Sequence, residues 1–391
     1  MMRQRSIFTF HSWRTNVRVR FALADADTYD ITLETLYNNT GPSQKTTATK
    51  AELMGYYKDM NVIRRMEIAC DNEYKARNIR GFCHLYDGQE AVCTGVEAAV
   101  TRDDDWITSY RCHGVAYSRG CTVEEIMAEQ FGYSNGVVKG KGGSMHLYKK
   151  DSNFWGGAAI VGAQVPVGVG IAFANKYQAE EGEKMNVSMS FYGDGAANQG
   201  QCWEAANMAK LWGLPALFVI ENNEYGMGTS THRSSALTEY YQQGNIIPGV
   251  QCDGMDVLAV RECFRYAKDY AASGNGPMFI EVKTYRYHGH SMSDPGLSYR
   301  DREEVQNVRA QRDCIASLQD RIVGQGWATE EELKQVQKDA RKFVTAEVKK
   351  AKQGSELPLH EIYTDIYHKE IPEFIRGAEM ATSAYNGKST M

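Results

Sequence analysis

Asp194 lies between Gly193 and Gly195, and Asn223 follows 223 − 194 = 29 residues later. A carboxylate and a side-chain amide offer hard oxygen donors, and the neighbouring glycines let backbone approach an anion closely. Such a pair suits a hard divalent cation carrying a diphosphate, because a small cation of this kind takes few protein ligands and completes its shell from phosphate and water. Residues 185–192 alternate apolar and polar like a strand, and 199–212 place Ala205, Met208, Ala209 and Trp212 on one helical face. Gly213-Leu214-Pro215 then stops the helix before a second apolar run at 216–220. The unit reads β-α-β and puts Asp194 and Asn223 at the carboxyl ends of parallel strands, where open α/β sheets bind ligands.

Gly-Asp-Gly followed by Asn-Asn at this distance is similar to the thiamine diphosphate fingerprint, in which the Asp, the second Asn and a carbonyl two residues later hold magnesium. Here those positions are Asp194, Asn223 and Tyr225. The alternative is a glycine turn and an Asn-Gly-type loop in another doubly wound protein, which is the better reading of Gly-Asp-Gly alone; the second half at the correct distance, with a helix between the two, favours the cofactor. A further buried strand at 278–282 runs into Tyr285-Arg286-Tyr287-His288-Gly289-His290. His290 is expected in the pocket, as a donor to diphosphate or to developing charge, rather than on a structural surface loop. The paired histidines have no third Cys or His neighbour to make a transition-metal site.

With 391 residues the chain can bury one large core, and a formal charge of −5 without a long basic block gives no support to nucleic-acid binding. The apolar runs fall far short of the roughly 20 residues of a membrane helix. Nine cysteines without a C-x-x-C pair read as free buried thiols rather than zinc ligands or a disulfide scaffold. Residues 1–20 carry Arg3, Arg5, Arg14, Arg18 and Arg20, with no acid before Asp25, the pattern of a mitochondrial presequence. Residues 21–55 read as an arm, flexible over 38–49, with a helix from about Lys50. Ten glycines over 132–170, interleaved with Ile160, Val161, Val165, Val167, Ile171 and Phe173, predict a packed loop leading into a buried helix that lines the site. The fold class is thus α/β over 56–300, an open and mostly parallel sheet with helices on both faces. Residues 301–391 follow as a charged helical extension and tail.

The blocks 80–91, 110–114, 139–146, 160–166, 193–200, 221–230 and 285–300 together resemble the alpha subunits of the thiamine diphosphate-dependent 2-oxo acid dehydrogenases of mitochondria. Ser291-Met292-Ser293-Asp294-Pro295-Gly296 resembles the pyruvate branch and is lacking in the branched-chain one. The resemblance implies magnesium at Asp194, Asn223 and the Tyr225 carbonyl, and diphosphate contacts at Tyr110, Arg111, Gly195, Ala196 and His290. It implies a catalytic pocket with His84 and His290, a cofactor-lining Val161, and phosphorylation of Ser291, Ser298 and Ser230 by a dedicated kinase, reversed by a phosphatase. It further implies oxidative decarboxylation of pyruvate in the mitochondrial matrix, with acetyl transfer to lipoyl groups of a dihydrolipoyl acetyltransferase core. Only the diphosphate half of a thiamine site is legible, so a beta subunit in an α2β2 heterotetramer is expected to supply the rest. The stretch 149–154 and the alanines at 158 and 159 depart from the family pattern. A silent scaffold is disfavoured by the intact Asp194, Asn223, His84 and His290. A magnesium phosphohydrolase would need further carboxylates near Asp194, for which the sequence offers no convincing set.

Overall fold

The computed structural model describes residues 26–31, 35–296 and 298–366. The expected presequence lies outside the described residues. Strands β1 (Ala26–Asp30), β2 (Thr35–Tyr37) and β3 (Lys45–Thr49) precede helix α1 (Lys50–Lys75). The helix starts at the expected residue because Thr49 and Glu52 form a capping box, each side chain bonding the other's backbone N–H. The described residues of the arm, however, form strands, one of them paired with a partner far away in sequence. β1 and β3 pair antiparallel, and β2 joins the edge of the main sheet against β10 (Gly249–Asp253).

Helices α2 (Glu90–Ala99), α3 (His113–Ser118), α4 (Val123–Phe131), α5 (Gln164–Gln178), α6 (Gly200–Leu211), α7 (Thr231–Ser234) and α8 (Val257–Tyr270) interleave with the remaining strands. These are β4 (Asp105–Ser109), β5 (Phe154–Ala158), β6 (Ser188–Gly193), β7 (Ala216–Asn222), β8 (Tyr225–Gly226), β9 (Thr229–Ser230) and β11 (Met278–Lys283). The main sheet has the order β2-β10-β11-β7-β6-β4-β5, parallel throughout except for β2. β7 is buried along its whole length, as a central parallel strand must be. Its side chains alternate between two cores: Leu217 and Val219 pack with α1, α2 and α8, whereas Phe218 and Ile220 pack with α5 and α6. Helices therefore cover both faces.

The inward face of α6 is Cys202, Ala205, Ala206 and Ala209; Trp212, expected on that face, is its C-cap and is exposed. In α9 (Arg302–Arg312) no residue is buried, but α10 (Cys314–Gly324) and α11 (Glu330–Ala351) send Leu318, Ile322, Leu333 and Val344 into the core beside α1. α10 and α11 thus contribute to the core.

The glycine-rich segment divides into two parts. Over 138–142 the backbone N–H groups of Val138, Gly140 and Gly142 donate to the buried Glu129 carboxylate at 2.9, 2.8 and 2.6 Å. Gly142 is required there, since a Cβ would lie 2.1 Å from the His146 carbonyl oxygen. In the second part Val165 and Val169 are buried, while Ile160, Val161, Val167 and Phe173 are exposed in this chain. All nine cysteines are free and buried, and burial pushes the Cys83 and Cys112 thiols up to about 12. No helix among the described residues is long and apolar enough to cross a membrane.

Candidate active site

β4 lies between β5 and β6 in the sheet. The chain leaves β4 toward β5 but leaves β6 toward β7, so a crevice opens at their carboxyl ends, the switch point at which doubly wound sheets bind ligands. Tyr110 and Arg111 follow β4, Asp194 follows β6, Asn223 follows β7 and His290 lies in the loop after β11.

Asp194 is buried, and burial pushes its carboxyl up to about 6. The turn that carries it needs no left-handed backbone, since Gly195 has φ −63° and ψ −38°. The glycines clear space instead. A Cβ at Gly193 would meet nothing within 4 Å, and one at Gly195 only the Gly226 Cα at 3.4 Å. Gly226 in turn passes over Asp194, because a Cβ built on it would be 3.7 Å from Asp194 Oδ2. Glu224 and Met227 flank this crossing with φ of +70° and +58°, a conformation that non-glycine residues keep only when surroundings enforce it. The Glu224 N–H donates to Asn222 Oδ1 at 2.9 Å, and Arg286 Nη2 donates to the Met227 carbonyl at 2.6 Å. Two buried oxygens in this small space, Asp194 Oδ2 and Asn223 Oδ1, have no hydrogen-bond partner. An unpaired buried carboxylate oxygen is unfavourable, and a hard cation would satisfy both atoms.

Three rings form the adjoining wall: His84 is 4.3 Å from Tyr110 and 5.1 Å from His290 between centroids, and Tyr110 is 5.6 Å from His290. Burial and the Arg111 guanidinium hold His84 at about 2 and His290 at about 4, so both imidazoles are neutral near pH 7. Arg111 ties the segments together by donating to the carbonyls of Leu85 at 2.6 Å and His290 at 2.9 Å. Arg286, absent from the sequence-derived site, is buried with Nε and Nη1 unpartnered, and burial together with Arg111 lowers its pKa to about 10. Two guanidiniums that repel each other electrostatically favour an anion beside them. The sequence placed Arg286 in the loop of His290 but gave no sign of its role, which shows only in its missing partners.

That loop is closed by Asp294, which accepts from the His290 N–H at 2.7 Å, the Gly296 N–H at 2.8 Å and the Tyr299 hydroxyl at 2.5 Å. Burial alone would raise the Asp294 carboxyl, but these donors outweigh it and hold it below the usual range. Arg300 donates to the carbonyls of Arg286 and His288 and lies over the Tyr285 ring at 5.2 Å. Ser291 is only 8% exposed and bonds Ser293, Ser298 is exposed, and Ser230 is half-buried. A cleft of about 330 Å³, lined in part by Lys75, His288, Ser291 and Arg302, lies along this loop.

Ala196 begins a short 3-10 turn directly after Gly195. Val161 is exposed beside the N-terminus of α6, where its carbonyl accepts from Gln201. Neither Ala158 nor Ala159 takes a positive φ, so alanine stands there without backbone strain. A separate buried group, Glu67, Cys70 and His113, has metal-ligand chemistry but is internally satisfied. His113 lies 3.0 Å from both Glu67 oxygens and 2.8 Å from Ser144 Oγ, while Gln130 donates to Cys70.

Residues 58–360 match the dehydrogenase E1 component family. The chain belongs to that family. As an E1 component it is 56% identical over 338 residues to the probable pyruvate dehydrogenase E1 component subunit alpha, mitochondrial, of Caenorhabditis elegans, covering 86% of this chain and 84% of that one. It is 54% identical to the corresponding subunit of Sminthopsis macroura, covering 86% of this chain and 92% of the relative. It is 52% identical to the somatic form of Homo sapiens, covering 86% and 85% of the two chains.

Proposed function

We propose that this E1 component is the alpha subunit of a mitochondrial pyruvate dehydrogenase, an oxidoreductase that decarboxylates pyruvate and, within a larger complex, passes the acetyl group to lipoyl groups and on to coenzyme A. The observation that carries the reading is the pair of unpartnered buried oxygens, Asp194 Oδ2 and Asn223 Oδ1, beside two guanidiniums at the switch point. The relatives' names, which specify pyruvate, a subunit alpha and mitochondria, support the substrate and the compartment.

In this reading Asp194, Asn223 and the Tyr225 carbonyl hold magnesium, and Tyr110, Arg111, Gly195, Ala196 and His290 receive the diphosphate, with Val161 lining the cofactor. Arg286 adds a second fixed positive charge to the same pocket. Thiamine diphosphate, when bound, supplies the electron sink for loss of carbon dioxide from a 2-oxo acid. The chain's own share is placement. His84 and His290 are neutral and ring-packed, and so present hydrogen-bonding nitrogens to developing charge without adding fixed charge. His84 Nδ1, buried and unpartnered, is free to hold or give a proton there. The aminopyrimidine half comes from a beta subunit, with the cofactor at the interface of an α2β2 heterotetramer docked on a dihydrolipoyl acetyltransferase core. Phosphorylation of Ser291, Ser298 and Ser230 by a kinase, reversed by a phosphatase, regulates it. A phosphate on Ser291 adds about two negative charges beside the diphosphate and displaces a serine packed inside the loop.

The test is carbon dioxide release from labelled pyruvate and labelled 3-methyl-2-oxobutanoate, with the chain co-purified with its beta partner, magnesium and thiamine diphosphate. Strong preference for pyruvate is expected. Preference for the branched acid would move the chain to the sister enzyme, and release from neither would leave a silent subunit.

A further inference from the structure

Asn223 does not choose its own orientation. Its Nδ2 donates to Gln89 Oε1 at 3.2 Å, Gln89 Nε2 donates to Glu221 Oε1 at 3.3 Å, and the Tyr86 hydroxyl donates to the same Glu221 oxygen at 2.7 Å. Tyr86, Gln89, Glu221 and Asn223 are all buried, so no water competes for these bonds. Gln89 occupies the N-cap position of α2 yet makes no side-chain cap bond; its amide is turned toward Glu221 and Asn223. Its approach is fixed by Gly88, where φ is +95° and a Cβ would fall 2.3 Å from the Tyr285 carbonyl oxygen.

We infer that Gln89 and Glu221 are positioning residues: a one-way hydrogen-bond relay from Asn223 through Gln89 to Glu221 turns the Asn223 amide so that Oδ1, and never Nδ2, faces the divalent cation. The direction follows from the inventory of donors. Glu221 Oε1 accepts two bonds, which commits the Gln89 NH2 to it and leaves the Gln89 carbonyl pointing at Asn223. A flipped Asn223 would set two carbonyl oxygens against each other and aim an amide N–H at the cation. Outer groups that orient a metal ligand in this way typically change metal affinity by about 10- to 100-fold when removed.

The inference rests on Asn223 being a cation ligand, and the experiment separates the two. Mn²⁺ would be titrated into the assembled alpha–beta complex at saturating thiamine diphosphate, with free Mn²⁺ read by electron paramagnetic resonance and assembly checked by size exclusion. Gln89→Met is expected to raise half-saturating Mn²⁺ at least about 10-fold, and Glu221→Gln, which keeps the shape, by a smaller factor. In an Asn223→Asp background both terminal atoms are oxygens, so adding Gln89→Met should change the midpoint less than about 2-fold. The relay is overturned if Gln89→Met binds like the native complex, or if it weakens the Asn223→Asp background as much as it weakens the native one. Should Gln89→Met fail to assemble, Glu221→Gln carries the same criterion. Native-like Mn²⁺ binding by Asn223→Ala would instead sink the ligand assignment beneath it.

Discussion

The loop around Glu129 and the crevice around Asp194 are both rich in glycine and charge, yet they are opposite kinds of place. At Glu129 three backbone N–H groups converge on a carboxylate supplied by the chain itself. At the crevice Asp194 Oδ2, Asn223 Oδ1 and two nitrogens of Arg286 are buried without partners. An unsatisfied buried polar group costs on the order of 1–3 kcal/mol, so a cluster of them is tolerable when something external completes it. Glycine density locates tight backbone; unpaired buried polar atoms gathered at the ends of adjacent parallel strands are what point to a guest.

The sharpest way to break this contrast is Asp194→Ala. In the assembled enzyme it should abolish magnesium-dependent thiamine diphosphate binding and lower carbon dioxide release by more than about 100-fold, beyond the usual effect of losing an outer group. Retained magnesium-dependent affinity, read by quenching of protein fluorescence, would remove the metal assignment. Ser291→Glu should come next, with activity reduced on the order of 10-fold or more by like-charge repulsion and lost loop packing. If that variant keeps native turnover, the loop is not where control is exerted. Glu129→Gln probes the other region: stability should fall by about 1–3 kcal/mol, a few degrees in Tm, with cofactor affinity unchanged. A large affinity loss with normal stability would erase the distinction between the two regions.

The smallest effect concerns pH and the Asp294 loop. The folded carboxyl titrates below the usual range, so its stabilisation is complete above the unfolded value of about 3.9 and is lost as pH falls through the lower folded value. Hydrogen exchange over 290–296 should therefore show native protection exceeding that of Asp294→Asn at pH 5 and above, with the gap closing below about pH 4. A gap that widens in acid would show the sign to be wrong.

The strand-turn-helix-strand unit was legible because local periodicity and stop signals coincide, and α1 because Thr49 and Glu52 form a cap within one turn. The edge strand β2 was not, since its order depends on β10 about two hundred residues away, with Asn39 reaching the Gly249 carbonyl. The exposure of Ile160, Val167 and Phe173 was also unreadable, because apolar composition does not say which face of a chain remains uncovered. Asp194 and Asn223, the pair proposed to hold the metal, were singled out by their spacing. Arg286, Gln89 and Glu221 could not be, because what marks them is a missing partner or a bond across 132 to 134 residues.

The nine sulfurs have a consequence for handling this protein. Every one is shut away from solvent, and at Cys83, Cys93 and Cys112 burial also disfavours the thiolate that alkylating reagents require. Their reaction with such a reagent is then a clock for how often the native fold opens, and a complex that keeps out the guest should tick faster than one that holds it.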